Sequence, residues 1–399
     1  MQIRYNVVYL ASIPIVLRIF ILFQMKVMQQ TSRIVFLDWL RMIAIFAVIL
    51  VHCIEPFYLG GPEGTFIASR SDALWVTLIN SALRAAVPLF VLASSYLLFP
   101  VKTDTVSFFK RRVSRVLVPF VIWSLLYCVI PPFGSDGEID IAGNFRKLVF
   151  NFVMTGSGHL WFVYMILGVY LLMPMLSPWI EKISRKEEKA FLCLWAFTTV
   201  LPIFRPLAET VTGSTALWGE CPWNPFGTFY YVSGFVGYLV LGHYIRTYAS
   251  EVSWGKTLAF AIPFWIVGYA VTAGGYWHFM PRENGFPLSE PYEAAVLMET
   301  TWNFCTFGVM MQTVAYFLVI KKITASGWFY THIVQPVSKL SYGMYLMHMF
   351  ALVPVFAMVS SWNLPTPLVM IVSALITFVV CAVVTRLLVF IPRSKYIVG

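Results

Sequence analysis

Ten apolar runs, at about 34–56, 73–99, 116–131, 159–180, 190–204, 226–246, 257–276, 300–320, 342–360 and 367–391, leave this chain few ways to fold. An uncharged stretch of about twenty residues is long enough to cross a bilayer, and inside hydrocarbon the backbone must satisfy its own polar groups, so each run predicts a helix. The third and fifth runs are short, with indistinct edges. Composition agrees: 59% of residues are hydrophobic, 12% are charged and the mean hydropathy is +0.77, more apolar surface than a water-soluble domain can hide. The expected fold class is therefore all-α, a polytopic membrane protein of about ten transmembrane helices.

Charge sets the orientation. Alternating sides from Arg33 gathers the loops 101–115, 181–189, 246–256 and 321–341 and the tail after 392 on one side, with Lys102, Lys110, Arg111, Arg112, Arg115, Lys182, Lys186, Lys321, Lys322 and Lys339 among their cations. The opposite loops are poor in Lys and Arg and rich in carboxylates such as Asp136, Glu138, Asp140, Glu283, Glu290 and Glu293. By the positive-inside rule both termini are expected in the cytoplasm, with the protein in the inner or plasma membrane. The formal charge of +10 is what such loops carry and does not call for nucleic acid. The cysteines at 53, 128, 193, 221, 305 and 381 form no CxxC pair and no metal-ligand spacing, so no metal is expected, although Cys221 and Cys305 fall on the same side. Residues 1–30 form an extension of a different kind, apolar but interrupted by Pro14 and Arg18 and lacking a signal-peptide cleavage site. It reads either as an extra helix or as sequence preceding a start at Met28; residues 31–399 form the membrane domain.

Within that domain the first run carries ionisable groups where they are costly. Arg41 and His52 are eleven positions apart, about three helical turns, so a guanidinium and a titratable base share one stripe roughly 16 Å apart along the axis. Asp38 and Glu55 bracket them. Taken alone, Arg41 reads as an arginine snorkelling to the interface and His52 as a histidine satisfied by a neighbouring helix. Their common stripe favours a functional pairing. Arg84 lies deep in the second run, one turn before Pro88, where a kink is expected; bonding to freed carbonyls and binding an anion are equal readings.

In SFFKRRVSRVL, Arg111 and Arg115 are four apart on a helix with Arg112 beside them, a set able to hold phosphates in bidentate fashion or to anchor on anionic headgroups. His159 and Trp161 stand at the entrance of the fourth run among rings that an interfacial aromatic belt would also explain. The segment 277–299 is acidic and aromatic, and reads first as a solvated loop. Ser341, Tyr345 and His348 recur at helical spacing in the ninth run.

The motifs DWLRMIAIFAVILVHC, RAAVPLFVLASSYLL, FFKRRVSRVLVPFVIW, HLWFVYMILGVYLLMP and SYGMYLMH, in this order from Arg33 onward, resemble the acyltransferase-3 family of integral membrane acyltransferases, in particular its surface-polysaccharide O-acetyltransferase branch. Ser94-Ser95 stands where the family typically has Ser-Gly, and nothing matches the hydrolase-like domain that some members append. The resemblance implies acetyl-CoA or another acyl-CoA as donor from the cytoplasm and a carbohydrate or lipid-linked glycan hydroxyl as acceptor outside. On that reading His52 is the general base and Arg41, on the same stripe, the second catalytic residue, while Arg84, Arg111, Arg112 and Arg115 hold the nucleotide end of the donor. Asp38, Glu55, His159, Trp161, Tyr345 and His348 are then candidates for the acceptor and acyl group. A transporter or exporter of polysaccharide or acyl groups is the alternative that buried charge also fits, though no pair of matching broken helices suggests an inverted repeat.

Overall fold

The computed structural model describes residues 33–61, 63–130, 140–150, 158–249 and 252–399. The extension at 1–30 and the carboxylates Asp136 and Glu138 lie outside these. The described chain is a helical bundle with a single two-stranded sheet at one end.

Helix α1 (Val35–Ile54) continues into a short 3-10 turn, Glu55–Phe57. Strand β1 (Gly64–Ile67) leads to α2 (Arg70–Leu83) and α3 (Ala86–Leu98), which form one apolar span opened at Arg84-Ala85. Pro88 explains the opening, since it lacks the N–H that the Arg84 carbonyl, four residues back, would accept. Helices α4 (Thr105–Val129), α5 (Ile141–Phe150) and α6 (Trp161–Ile180) follow, then α7 (Arg185–Thr198), α8 (Leu201–Thr212), α9 (Val236–Tyr248) and α10 (Trp254–Phe279). Strand β2 (Leu288–Pro291), α11 (Tyr292–Met298), α12 (Phe307–Ile320), α13 (Gln335–Ser360) and α14 (Thr366–Leu388) complete the fold. The polar residues between runs start the helices. Ser69, Asp104 and Ser253 each accept a backbone N–H of the first turn, and Ser184 forms a capping box with Glu187.

Among the described residues, seven helices are long and apolar enough to span, or nine if two bent pairs are counted as spans. The pairs are Arg185–Thr198 with Leu201–Thr212, bent by 41°, and Tyr292–Trp302 with Phe307–Ile320, bent by 48°. The remaining apolar run, 226–246, is helical only in the 13 residues of α9. At 1.5 Å per residue α9 reaches about 20 Å, short of a hydrocarbon core of about 30 Å. Gly227 and Gly234, with φ of +61° and +78°, take the chain out of helix ahead of it.

Helix α1 is the hub, packing against α2, α3, α12, α13 and α14. Its buried face contributes Phe36, Leu37, Leu40 and Ala44 to one apolar core and Ile45, Ile49, Cys53 and Ile54 to a second. Helices α3 and α9 meet closely at Ser95: a Cβ at Gly242 of α9 would lie 2.5 Å from the Ser95 hydroxyl, which donates to the Leu239 carbonyl at 2.5 Å. Antiparallel β1 and β2 pair Gly64 with Pro291 through Ile67 with Leu288, tying the loop after α1 to the segment before Glu299. Cys221 and Cys305 are free thiols.

Candidate active site

One cavity of about 580 Å³ runs beside α1, walled by α3, α4, α6 and α13 and by Glu299 and Phe304. Arg41, Val48, His52 and Glu55 line it from α1, so the stripe expected from helical periodicity faces the cavity along its length.

The end nearer the start of α1 is basic. Arg33, Arg41, Arg112, Arg115 and Lys339 line it, together with Tyr170. Asp38 organises this end without touching the cavity. It is 1% exposed and accepts from Arg33 Nε at 2.5 Å and Nη2 at 2.9 Å, from the Tyr330 hydroxyl at 2.8 Å and from Ser338 at 2.6 Å, with Arg41 Nη1 at 3.7 Å. A buried carboxylate so fully met fastens α1 to α13 and steadies both arginines. The hydrogen bond to Asp38 in turn raises the Arg33 guanidinium above its ordinary value. Arg112, Arg115 and Lys339 have no ion-pair partner among the described residues. Arg111 is turned away from the cavity and donates to Thr103 at 3.0 Å, so the cavity face of α4 reads Arg112, Arg115 and Val116.

At the other end the charges are matched. His52 Nδ1 lies 2.8 Å from Glu55 Oε2, one turn on, where α1 passes into its 3-10 turn. With Nδ1–H donated to the carboxylate, Nε2 is the ring nitrogen left to take a proton. The ring sits 5.0 Å from that of His348 and 6.2 Å from that of His159, centroid to centroid. His348 is fully buried behind the wall, its Nδ1 donating to the Tyr345 carbonyl at 2.5 Å, while the Tyr345 hydroxyl donates to the His159 carbonyl. His159, Trp161 and Tyr345 all line the cavity, and Trp161 stacks on Phe304 at 5.1 Å.

Arg84 belongs to this same end, because Pro88 opens the helix there. Its Nη2 lies 3.5 Å from Glu299 Oε1 and donates to the Tyr58 hydroxyl at 3.3 Å, and its guanidinium carbon stands 4.2 Å over the Trp302 ring. Tyr58 donates to Glu299 at 2.5 Å; its burial, with Glu299 adding to it, pushes the phenol well above its ordinary value. Glu299, Tyr58 and Trp302 were not singled out in the sequence. Glu299 closes the acidic 277–299 segment, but tertiary packing brings it to Arg84: the β1–β2 pairing, the Trp302 stack on Tyr276 and the Trp302 hydrogen bond to Ser81. Tyr170 and Lys339 were likewise indistinguishable from ordinary interfacial residues.

The cavity thus brings together Arg41, His52, Glu55, Arg84, Arg112, Arg115, His159, Trp161 and Tyr345, and leaves Asp38, Arg111 and His348 off its surface. Among the described residues no group of three or more His, Cys, Asp or Glu side chains is arranged to hold a metal ion.

Fold and cavity define a multi-pass α-helical membrane protein with charged side chains facing a chamber inside the bundle. The sequence profile of an acyltransferase domain, that of the acyltransferase-3 family, matches residues 34–386, and the chain belongs to this family. The protein is accordingly a membrane acyltransferase. Neither the curated proteins nor the solved structures contain a match to the chain.

Proposed function

We propose that the protein is an O-acyltransferase that moves an acetyl group from acetyl-CoA, entering at the basic end from the cytoplasm, to a hydroxyl of a cell-surface or lipid-linked carbohydrate at the histidine end. The observation that supports this most is one cavity whose cations at one end have no ion-pair partner among the described residues and whose other end holds a His–carboxylate pair. Acyl transfer to an alcohol needs those two elements apart: a grip on phosphates and a base on the hydroxyl.

In this reading Arg112 and Arg115, with Arg41 and Lys339, bind the phosphates of the donor. The extended thiol arm lies along the α1 stripe and delivers the thioester near His52. His52 Nε2 takes the proton of the acceptor hydroxyl as the oxygen attacks the thioester carbon, and Glu55 holds the ring's tautomer and stabilises the imidazolium. That proton then passes to the departing thiolate. Arg84, held by Glu299 and Tyr58, faces the acceptor; Trp161 and Tyr345 supply flat surfaces for a sugar ring. Asp38 and His348 position the residues in front of them.

Purified protein mixed with acetyl-CoA and candidate glycans is expected to release CoA and add one acetyl group to the glycan by mass spectrometry. His52→Ala is expected to lower the rate by about 10²–10⁴-fold, the usual contribution of a general base, with membrane insertion and melting unchanged. Near-normal acetylation by that variant would end the assignment of His52 as base.

A further inference from the structure

Among the polar groups on the cavity, His159 has its hydrogen-bonding capacity unspent. The residue is 6% exposed, it lines the cavity, and neither ring nitrogen has a well-formed hydrogen bond. The ring makes only a weak contact with the Leu346 carbonyl, which already accepts the Tyr127 hydroxyl at 3.0 Å. A neutral imidazole carries one N–H, and a buried donor left unmet costs free energy that a fold rarely tolerates without a use for it. The ring is also held firmly: its centroid is 5.3 Å from that of Tyr127, 4.7 Å from that of His348 and 5.8 Å from that of Tyr345, whose hydroxyl bonds the His159 carbonyl.

We propose that His159 donates a hydrogen bond to the carbonyl oxygen of the acyl group as it becomes an oxyanion. The inference rests on the acyl-transfer reading above and assigns a second catalytic residue within it. The His52 and His159 rings face the cavity with centroids 6.2 Å apart and planes at 76°, a separation that admits a carbonyl group between base and donor. As the acceptor oxygen bonds to the acyl carbon, its proton moves to His52 Nε2 and the carbonyl π electrons move to oxygen, where the His159 N–H meets them. When the carbonyl re-forms, the carbon–sulfur bond breaks, and the thiolate takes the proton back from His52. His159 transfers no proton. A neutral donor suits this place, because a second imidazolium so close to that of His52 would be opposed by like charge.

Its neighbours do not fit the role. His348 spends its Nδ1–H on the Tyr345 carbonyl, so its Nε2 presents a lone pair that would repel an oxyanion. Arg84 is held by Glu299, Tyr58 and Trp302.

The test uses the full chain in lipid nanodiscs with acetyl-CoA and the acceptor glycan. His159→Leu is expected to lower kcat by about 10²–10³-fold, the cost of losing one oxyanion donor, with the KM for acetyl-CoA within about 3-fold of wild type. His159→Gln, which keeps an N–H donor, is expected to recover about 10-fold over His159→Leu. A kcat for His159→Leu within about 3-fold of wild type, or equal losses in the two variants, would overturn the proposal. An independent reading needs no variant: the infrared carbonyl stretch of carbon-13-labelled acetyl-CoA is expected to fall on binding to the wild-type protein. An unshifted stretch counts against His159 even if His159→Leu fails to insert. Wild-type protein that releases no CoA with any acceptor overturns the acyl-transfer reading and this assignment together, whereas an active wild type with an indifferent His159→Leu removes His159 alone.

Discussion

At the basic end of the cavity Arg112, Arg115 and Lys339 face open space without ion-pair partners among the described residues, whereas at the histidine end His52 is met by Glu55 and Arg84 by Glu299. Both ends carry guanidinium groups, and they differ in whether those cations are paired. Cations held together repel one another, and an entering polyanion relieves that repulsion, so the basic end gains from ligand binding. Pairing at the other end has the opposite effect. It fixes tautomer and orientation in advance, which favours a transition state over a tightly bound ground state.

If this contrast is right, lesions at the two ends have different kinetic signatures. Glu55→Gln should break the histidine end most selectively, since an amide at Oε2 neither enforces the His52 tautomer nor stabilises an imidazolium. A fall in kcat of about 10²-fold or more is expected, with the KM for acetyl-CoA little changed. A variant that binds donor poorly but turns over normally would place Glu55 in binding and blur the distinction between the ends.

Smaller in effect, and opposite in kind, is the double replacement Arg112→Ala with Arg115→Ala. Each lost charge-assisted hydrogen bond to a phosphate is worth about 1.5–3 kcal/mol, so the donor KM should rise by at least about 10-fold while kcat holds within about 3-fold. Added salt should weaken donor binding to wild type and much less to the double variant. Equal salt responses would mean that the phosphates are held elsewhere.

The sequence carried the architecture well, because spanning helices obey length and hydropathy rules that need no partner. Seven of the ten apolar runs lie in helical spans, one of them opened at Arg84-Ala85, and two more are bent pairs. The run at 226–246 reads as a span by hydropathy, yet positive-φ glycines shorten its helix to Val236–Tyr248. The Arg41–His52 stripe was legible for a related reason: periodicity along one helix is local. What was not legible is tertiary. Arg84 meets Glu299 across 215 positions through strand pairing and packing that no local pattern announces, and His348 is set behind His52 only by the packing of α13 on α1. Asp38 illustrates the same limit, since its position beside Arg41 does not disclose that Tyr330 and Ser338 consume its remaining acceptor capacity.

Arg111 is where local and tertiary readings diverge most usefully. Helical spacing groups it with Arg115, four residues on, as a phosphate clamp. In the fold, α4 instead presents Arg112 and Arg115, three apart, to the cavity, and Arg111 reaches back to Thr103 on the exposed side. An exposed charge outside the cavity acts on a ligand inside it only through a screened field, which fades beyond about 8 Å at physiological salt. Arg111→Ala is therefore expected to change the donor KM by less than about 2-fold, the smallest effect among these substitutions. Measuring it beside Arg115→Ala under identical salt separates two pictures of the basic end. A loss matching that of Arg115→Ala would mean that the summed positive field draws the donor in, and the cavity lining would cease to be the relevant boundary. A negligible loss beside a large one would mean that direct contact along one helical face selects the phosphates.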